Sequence, residues 1–546
     1  MQLYKQFCTE EFDNDNTLKS FKLKFEDNYN FGYDVLDQMA EKAPNDIALV
    51  WTNPEGEERI FTFADLSRLS NKAANVFLKY GIKKGDRVLL MLKRNYEYWY
   101  IVTALHKLGV VAIPATNMLT AEDISYRVNV ANIKMAVCTP DSDTVENILQ
   151  AKNKGNSLKT VFVARKDFDG TVNITKEIES AGAELERVET KATEPMLIYF
   201  TSGTTGYPKA VVHNHIYSLC HIISAKYWQN VKEGGLHFSI AETGWAKASY
   251  GKIYGQWLCG CAVMAFDFEK FSPSKILKVI EKFKVTSFCA PPTAYRYFVK
   301  KGMQMYDLSS LEYLTTAGEA LNPIVAEAVY QQTGLHPMEG YGQSETTLLI
   351  ANLNGTYGKT GSIGKPSPMY DIRLVDSDGN EVKQGETGEI VVIPPKNRKQ
   401  YGIFTNYIGD EQMYQYAWRK GMYHTNDTAY MDEDGYYWYV GRADDLIKTR
   451  GYRVGPFEIE NVLMKHPAVL ECAVIGVPDE SRGQAIKAII KTVDGCDADK
   501  NLVNDIKVFS NKRLASYKWI QYIEFTDEMP KTISGKIKRV ALKANA

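Results

Sequence analysis

Short apolar runs rich in β-branched residues recur along the N-terminal part of the chain: VLLML at 88–92, VVAIP at 110–114, MAVC at 135–138, VFVA at 161–164 and MLIYF at 196–200. Each has the length of a strand and lacks polar alternation, the pattern of strands buried on both faces. Between them the apolar period lengthens. Thr62 precedes Leu66, Leu69, Ala73 and Phe77, one face of a helix that Thr62 can cap and Gly81 can end. Ser272 and Pro273 open a second helix bearing Ile276, Leu277, Ile280 and Phe283. Strands alternating with helices predict an α/β architecture with largely parallel sheets. After about residue 365 the texture changes to DIRLVDSDGNEV, GEIVVI and MDEDGYYWYVG, in which Asp-Gly pairs mark turns between antiparallel strands. From about residue 445 a compact remainder, with a helix near 456–466 and strands at AVIGV and AIKAII, reads as a small α+β domain.

A chain of 546 residues calls for more than one core. With 45% hydrophobic and 24% charged residues, folded domains should fill most of it. Lys plus Arg number 65 against 66 acidic residues, so there is no electrostatic footprint for nucleic acid. The eight cysteines form no C-x-x-C pair, and Cys259 and Cys261, within WLCGCAVMAF, read as core residues of a protein in a reducing compartment. The opening MQLYKQFCTEEFDND lacks the features of a targeting segment, and no apolar run is long enough for a membrane span, which together point to the cytoplasm.

The candidate chemistry begins at YFTSGTTGYPKAVVHNH. A Ser/Thr/Gly-rich turn from Thr201 to Lys209 is expected between the MLIYF strand and a helix bearing Ile216, Leu219, Cys220 and Ile223. Gly203 and Gly206 permit close backbone approach, Thr201, Ser202, Thr204 and Thr205 supply hydroxyl donors, and Lys209 adds a mobile positive charge. Polyphosphate is the ligand this composition suits; a solvated surface turn is the plain alternative. The spacing does not fit a Walker A loop, since Ala210 follows Lys209.

TSGTTGYPK resembles the signature loop of the adenylate-forming superfamily, which comprises acyl-CoA synthetases, luciferases and peptide-synthetase adenylation domains. Four further matches follow in the family's order: AGEALN (317–322), EGYGQSETT (339–347), the span 423–460, and PKTISGKIKR (530–539). NFGYDVLDQMA (30–40) and AETGWAKASYG (241–251) look most like medium-chain acyl-CoA synthetases. The resemblance implies a large N-terminal domain, 1–443, of two α/β subdomains plus a distorted β-barrel. A small mobile α+β C-terminal domain, 444–546, would follow, hinged at Asp444.

It also implies roles. Thr201, Ser202, Gly203, Thr204, Thr205 and Lys209 would hold ATP phosphates. Tyr341 would lie against adenine, with Gly318, Glu319 and Ala320 on its other side and Glu339, Gly340, Gly342, Gln343 and Ser344 in the same motif. Asp427 would accept the ribose hydroxyls, and Arg442 and Arg453 would supply positive charge. Glu345 would help hold Mg2+, and Lys536 would stabilise the charge that develops as the substrate carboxylate attacks the α-phosphate. Arg450, Gly451, Tyr452 and Arg482 would meet coenzyme A after the small domain rotates. Acetate-specific relatives carry a tryptophan where this chain has Gly342, so room is expected there for a short-to-medium or branched acid, with Trp245 as another wall. Lys247 is either a bias toward polar tails or a surface lysine, and His213 and His215 are expected to be structural. The expected partners are a carboxylic acid, ATP and coenzyme A. Delivery to a carrier protein and a non-catalytic nucleotide-binding protein are the alternatives.

Overall fold

The computed structural model describes residues 1–155, 157–201, 208–319, 321–356, 358–396, 400–449, 452–479, 481–493, 495–496, 498–531 and 537–544, without the Arg453 side chain. Two large sheets organise the N-terminal part. In the first, Arg87–Met91 lies at the centre between Val111–Pro114 and Met135–Cys138, with Thr160–Val163 beyond, all parallel. Pro195–Thr201 joins the parallel set, and Lys209–Asn214 and Asn406–Tyr407 extend it antiparallel. The expected strands are all present. Val88 and Leu90 pack into one apolar cluster and Leu89 and Met91 into another, so a run without alternation here reflects a sheet covered on both sides.

The second sheet is parallel from Ile47–Thr52 through Ala262–Phe266, Leu236–Ser239, Ser287–Cys289 and Tyr313–Ala317 to Pro337–Gly342. The largest core, which includes Trp51, Trp99 and Trp257, fills the space between the two sheets. The helix Phe63–Lys79 begins at a capping box in which Thr62 accepts from the Asp65 amide and Asp65 accepts in return. The helix Pro273–Phe283 turns Ile276, Leu277 and Ile280 inward.

Four antiparallel strands, Asp371–Val375, Gly388–Ile393, Tyr423–Met431 and Tyr437–Arg442, form the β-rich part. The small C-terminal domain pairs Val469–Asp479 with Gly483–Thr492, adds Tyr522–Phe525 parallel to the latter, and packs the helix Pro456–Leu463 against them. All eight cysteines are free, and no helix among the described residues is long and apolar enough to cross a membrane.

One expected connection is different. Thr201 pairs with Lys209 at the ends of two antiparallel strands, so the hydroxyl-rich segment joins strand to strand, and the helix Ile216–Ile222 begins only after Asn214. Ala210 to His213 are all buried, which makes this stretch an inner strand of the sheet rather than a lead into a helix.

Candidate active site

A cavity of about 510 Å3 lies where the second sheet, the antiparallel strands and the small C-terminal domain meet. The C-terminal end of the parallel strand Pro337–Gly342 delivers Gly340, Tyr341 and Gly342 to it, and the following turn delivers Gln343, Ser344 and Glu345. Ligands of open α/β sheets bind beyond the carboxyl ends of strands, because there the connections diverge and leave a crevice. Thr201, Gly318 and Glu319 line the same space, as do Asp427, Arg442, Ile537 and Arg539.

Asp427 is the hub of the large-domain wall. It is buried, and the pairing of Tyr423–Met431 with Tyr437–Arg442 sets it directly across from Arg442. Tyr341 Oη donates to its Oδ2 at 2.7 Å, Gln343 Nε2 to the same oxygen at 2.6 Å, and Tyr439 Oη to Oδ1 at 3.0 Å. Arg442 Nε lies 3.9 Å from Oδ1. Burial opposes the charge of this guanidinium, but Asp427 and then Asp444 beside it raise it above its ordinary value. A carboxylate offers about four lone-pair sites, of which three are engaged by these donors.

Glu345 forms a second centre. Burial pushes its carboxyl upward, opposed by the hydroxyl of Tyr407, which donates to Oε1 at 3.0 Å, and by the charges of Lys209 and Arg442. Lys209 Nζ stands 5.6 Å from the Tyr407 ring centroid, so the ammonium that ends the hydroxyl-rich segment is close to this carboxylate. Among the described residues no group of three His, Cys, Asp or Glu could hold a metal ion. Glu345 is a single hard oxygen donor that would suit a magnesium ion, which would supply positive charge to bound phosphates.

Glu339 is behind the wall rather than in it. Its buried carboxyl accepts the Leu321 amide at 2.8 Å and is pushed up to about 8 by burial. Gly318, at φ +98°, is needed in the turn after Tyr313–Ala317: an added Cβ would lie against the Lys247 ammonium, which itself donates to the Ala317 carbonyl at 2.7 Å. Lys247 is accordingly half-buried beside the cavity turn, not a surface lysine.

A Cβ at Gly342 would stand 2.6 Å from the Thr347 carbonyl oxygen and 2.7 Å from the Tyr250 hydroxyl, which donates to the Thr346 carbonyl at 2.7 Å. Gly342 lines the cavity, and on its Cβ side the space is bounded by Tyr250. Trp245 is half-buried in the turn after Glu242 and is not among the cavity-lining residues. His213 Nε2 donates to the Ser344 carbonyl at 2.7 Å, and burial lowers both His213 and His215 to about 4, so both are neutral core imidazoles.

The residues expected to meet coenzyme A are elsewhere. Tyr452 is exposed and stacked on Tyr517 at 4.2 Å, and Arg482 is partly exposed, its amide donating to Asp479 at 3.0 Å. Neither lines the cavity. Asp444 is exposed between the large domain and the strand Ile447–Thr449. Ser202, Gly203, Thr204, Thr205, Ala320, Arg450, Gly451, Lys536 and the Arg453 side chain are outside the described residues. Tyr439, Tyr407, Glu460 and Arg539 also belong to the site, with no role expected from the sequence. Only strand register could have pointed to Tyr439, which lies three residues before Arg442 on the strand paired with Asp427.

Comparison with known proteins agrees with this geometry. The profile of the AMP-binding enzyme family matches residues 36–401, and that of the AMP-binding enzyme C-terminal domain matches 458–536. The acyl-coenzyme A synthetase ACSM3, mitochondrial, of Pongo abelii is 38% identical over 98% of this chain and 92% of its own length. The 4-hydroxybutyrate–CoA ligase 1 of Metallosphaera sedula is 38% identical over 94% of this chain and 90% of its own. The crystal structure of the anthranilate CoA ligase AuaEII in complex with anthranoyl-AMP superposes with a TM-score of 0.87 at 28% identity, covering 96% of this chain and 98% of that one. The chain thus belongs to the AMP-binding enzyme family, as an AMP-forming acid–CoA ligase of the acyl-coenzyme A synthetase type.

Proposed function

We propose that this enzyme activates a short-to-medium or branched carboxylic acid in the cavity and that Lys536 of the small domain stabilises the first step. In that step a carboxylate oxygen attacks the α-phosphorus of ATP, and the bond to pyrophosphate breaks. The acyl carbon of the adenylate is then attacked by the thiolate of coenzyme A, and AMP leaves with the electron pair of the broken bond. The observation that carries this reading is the shared cavity: Ile537, the residue after Lys536, lines the same space as Asp427, Glu345 and Arg442. An ammonium brought there from the small domain would meet the charge developing on oxygen without waiting for solvent to reorganise.

Asp427 suits the ribose hydroxyls, since Oδ1 retains acceptor capacity and Oδ2 can exchange a phenol for a sugar hydroxyl. Tyr341 and the 318–320 turn flank the base, and Thr201 to Thr205 with Lys209 take the phosphates. Glu345 is the protein's ligand for Mg2+, which supplies charge neutralisation to the phosphates when bound. We place the domain boundary at 443/444, with Asp444 as hinge. The distance of Tyr452 and Arg482 from the cavity supports a second orientation in which they, with Arg450 and Gly451, receive coenzyme A. Tyr250 limits the acyl space beside Gly342, which favours short or branched chains over long straight ones. Eight unpaired cysteines support a reducing compartment such as the cytoplasm.

The test is pyrophosphate exchange into ATP with acids of two to ten carbons. Lys536→Ala should lower exchange by about 10^2-fold or more while leaving nucleotide binding within about threefold. Undiminished exchange in that variant would remove Lys536 from the mechanism.

A further inference from the structure

Four polar side chains meet in the apolar layer between the two large sheets. His237, Gln229, Gln256 and Lys252 are all fully buried. His237 Nδ1 is engaged by the Ser287 hydroxyl at 2.7 Å, and Gln256 Nε2 donates to Gln229 Oε1 at 2.6 Å. His237 Nε2, Gln229 Nε2, Gln256 Oε1 and Lys252 Nζ have no hydrogen-bond partner among the described residues. The Cys289 thiol beside Gln229 is at most a weak acceptor. Two of these atoms converge on the helix Lys247–Gly251: a Cβ at Gly251 would stand 3.1 Å from Gln229 Nε2 and 3.1 Å from His237 Nε2. Lys252 follows directly, its Nζ 5.9 Å from the Trp99 ring centroid. Burial, and after it Arg94, lowers this ammonium to about 7, opposed by Cys289 and Asp267. Buried polar groups without partners cost stability, and apolar residues of similar size would not.

The cluster lies one layer below the cavity. His237 pairs with Ser287 in the parallel strands Leu236–Ser239 and Ser287–Cys289, and Ser239 pairs with Cys289 at their carboxyl ends, beyond which Pro292 and Thr293 line the cavity. Residues two apart on a strand share a face. Cys289 packs into the core between the sheets and Phe288 into the opposite one, so His237 and Ser287 also face the intersheet space. The helix Lys247–Gly251 runs down the same side. Lys247 donates to Ala317, two residues beyond the Thr315 that pairs with Cys289, and Gly251 is one helical turn, about 6 Å, farther in. Burial raises the Cys289 thiol, opposed in turn by Thr315, Lys247, Gln229 and Lys252, which sets this residue between cavity and cluster. An acid with its reacting carboxylate in the cavity and its chain along this helix brings its far end to Gly251. We infer that the substrate is a dicarboxylic acid whose second carboxylate is received by Lys252, Gln229 and His237. This rests on the proposed binding of the acid in the cavity and adds the charge of its distal end. Three of the unpaired atoms can donate, His237 Nε2 in the tautomer that accepts from Ser287, and one can accept; a carboxylate, which only accepts, suits that set better than a hydroxyl. The anion also returns a partner to an ammonium that burial disfavours.

The experiment measures pyrophosphate exchange in the full-length enzyme with short-to-medium acids of matched length ending in a methyl, a hydroxyl or a second carboxylate. At its best length the diacid should exceed the matching monoacid in kcat/KM by at least about tenfold. Lys252→Met, which keeps the length of the side chain without its charge, should lower kcat/KM for the diacid by about 10^2-fold or more and invert the preference. It should also raise the melting temperature, because an unpaired buried ammonium is gone. Gly251→Ala, whose methyl would cover Gln229 and His237, should lower the diacid-to-monoacid ratio by at least about tenfold, and it carries the test if Lys252→Met does not fold. The inference is overturned if the monoacid or the hydroxy acid is preferred at every length. It is also overturned if Lys252→Met leaves the ratio within about threefold while lowering the melting temperature, the mark of a purely structural cluster. Exchange with monoacids but not diacids would sink this inference and leave the adenylation reading intact, whereas exchange with no acid of any class would sink that reading itself.

Discussion

The two walls of the cavity hold their polar groups in different ways. On the large-domain side, Asp427 is fixed by neutral donors, the phenols of Tyr341 and Tyr439 and the amide of Gln343, all mounted on or next to strands. On the small-domain side, Glu460 and Glu471 are fixed by the cations Arg539 and Lys531, which bracket one short segment. A neutral network on a fixed sheet serves a ligand that must find the same geometry every turnover. Ion pairs hold Lys531 to the hairpin and Arg539 to the helix of the small domain, so that wall is set by charge rather than by neutral donors.

This contrast can be broken most directly at its hub. Asp427→Ala orphans three donors at once, and each buried unsatisfied group costs about 1–3 kcal/mol, so a loss of about 3 kcal/mol in stability is expected together with at least a hundredfold fall in pyrophosphate exchange. Denaturant titration and exchange assays check both. If Asp427→Ala is no more destabilising than the loss of a small-domain ion pair, the large-domain wall is not the more rigid of the two.

A second measurement sharpens the picture of that wall through Glu339, whose folded pKa of about 8 lies above its value in the unfolded chain. The folded state binds the extra proton between these values, so stability attributable to this group falls as pH rises from about 4.5 through 8. Glu339→Gln should remove that part of the slope, retaining roughly 1–2 kcal/mol relative to the parent between pH 6.5 and 8. Paired melts across that range test it, and parallel curves for parent and variant would show that the carboxyl is charged at neutral pH.

The smallest effect should come from Lys531→Met. The side chains of Lys531 and Glu471 are 37% and 17% exposed, and a pair of this kind is worth about 0–1 kcal/mol. A shift larger than that in the denaturation midpoint would mean that this pair bears as much as that of Arg539 with Glu460.

Much of this was readable in the chain before folding. Strands buried on both faces carry unbroken apolar runs, so 88–92 and 135–138 declare themselves, and Thr62 with Asp65 writes the start of its helix. The ordered motifs bring Tyr341, Glu345 and Asp427 to one cavity: Tyr341 is near the end of its strand, Glu345 is in the turn that follows, and Asp427 is within Tyr423–Met431, paired across from Arg442. The strand Lys209–Asn214 goes unread between the expected turn and the helix after it, because so short an apolar run, AVV between Lys209 and His213, does not declare a strand on its own. Glu339 belongs to the same motif as Tyr341 yet buries its carboxyl on the Leu321 amide and does not line the cavity, since a motif names neighbours in sequence without saying which side of the strand they occupy. Tyr250 and Glu460 left no signal, because their partners, at Gly342 and Arg539, are distant in the chain.

The three donors on Asp427 also bear on the calorimetry of nucleotide entry. A carboxylate with three of its acceptor sites already held by phenols and an amide has little water to shed, so a ribose placed there as proposed would exchange one set of hydrogen bonds for another of the same kind. The heat released should be small for the number of contacts formed, and replacing Tyr439 by Phe, which frees Oδ1, should make binding more exothermic.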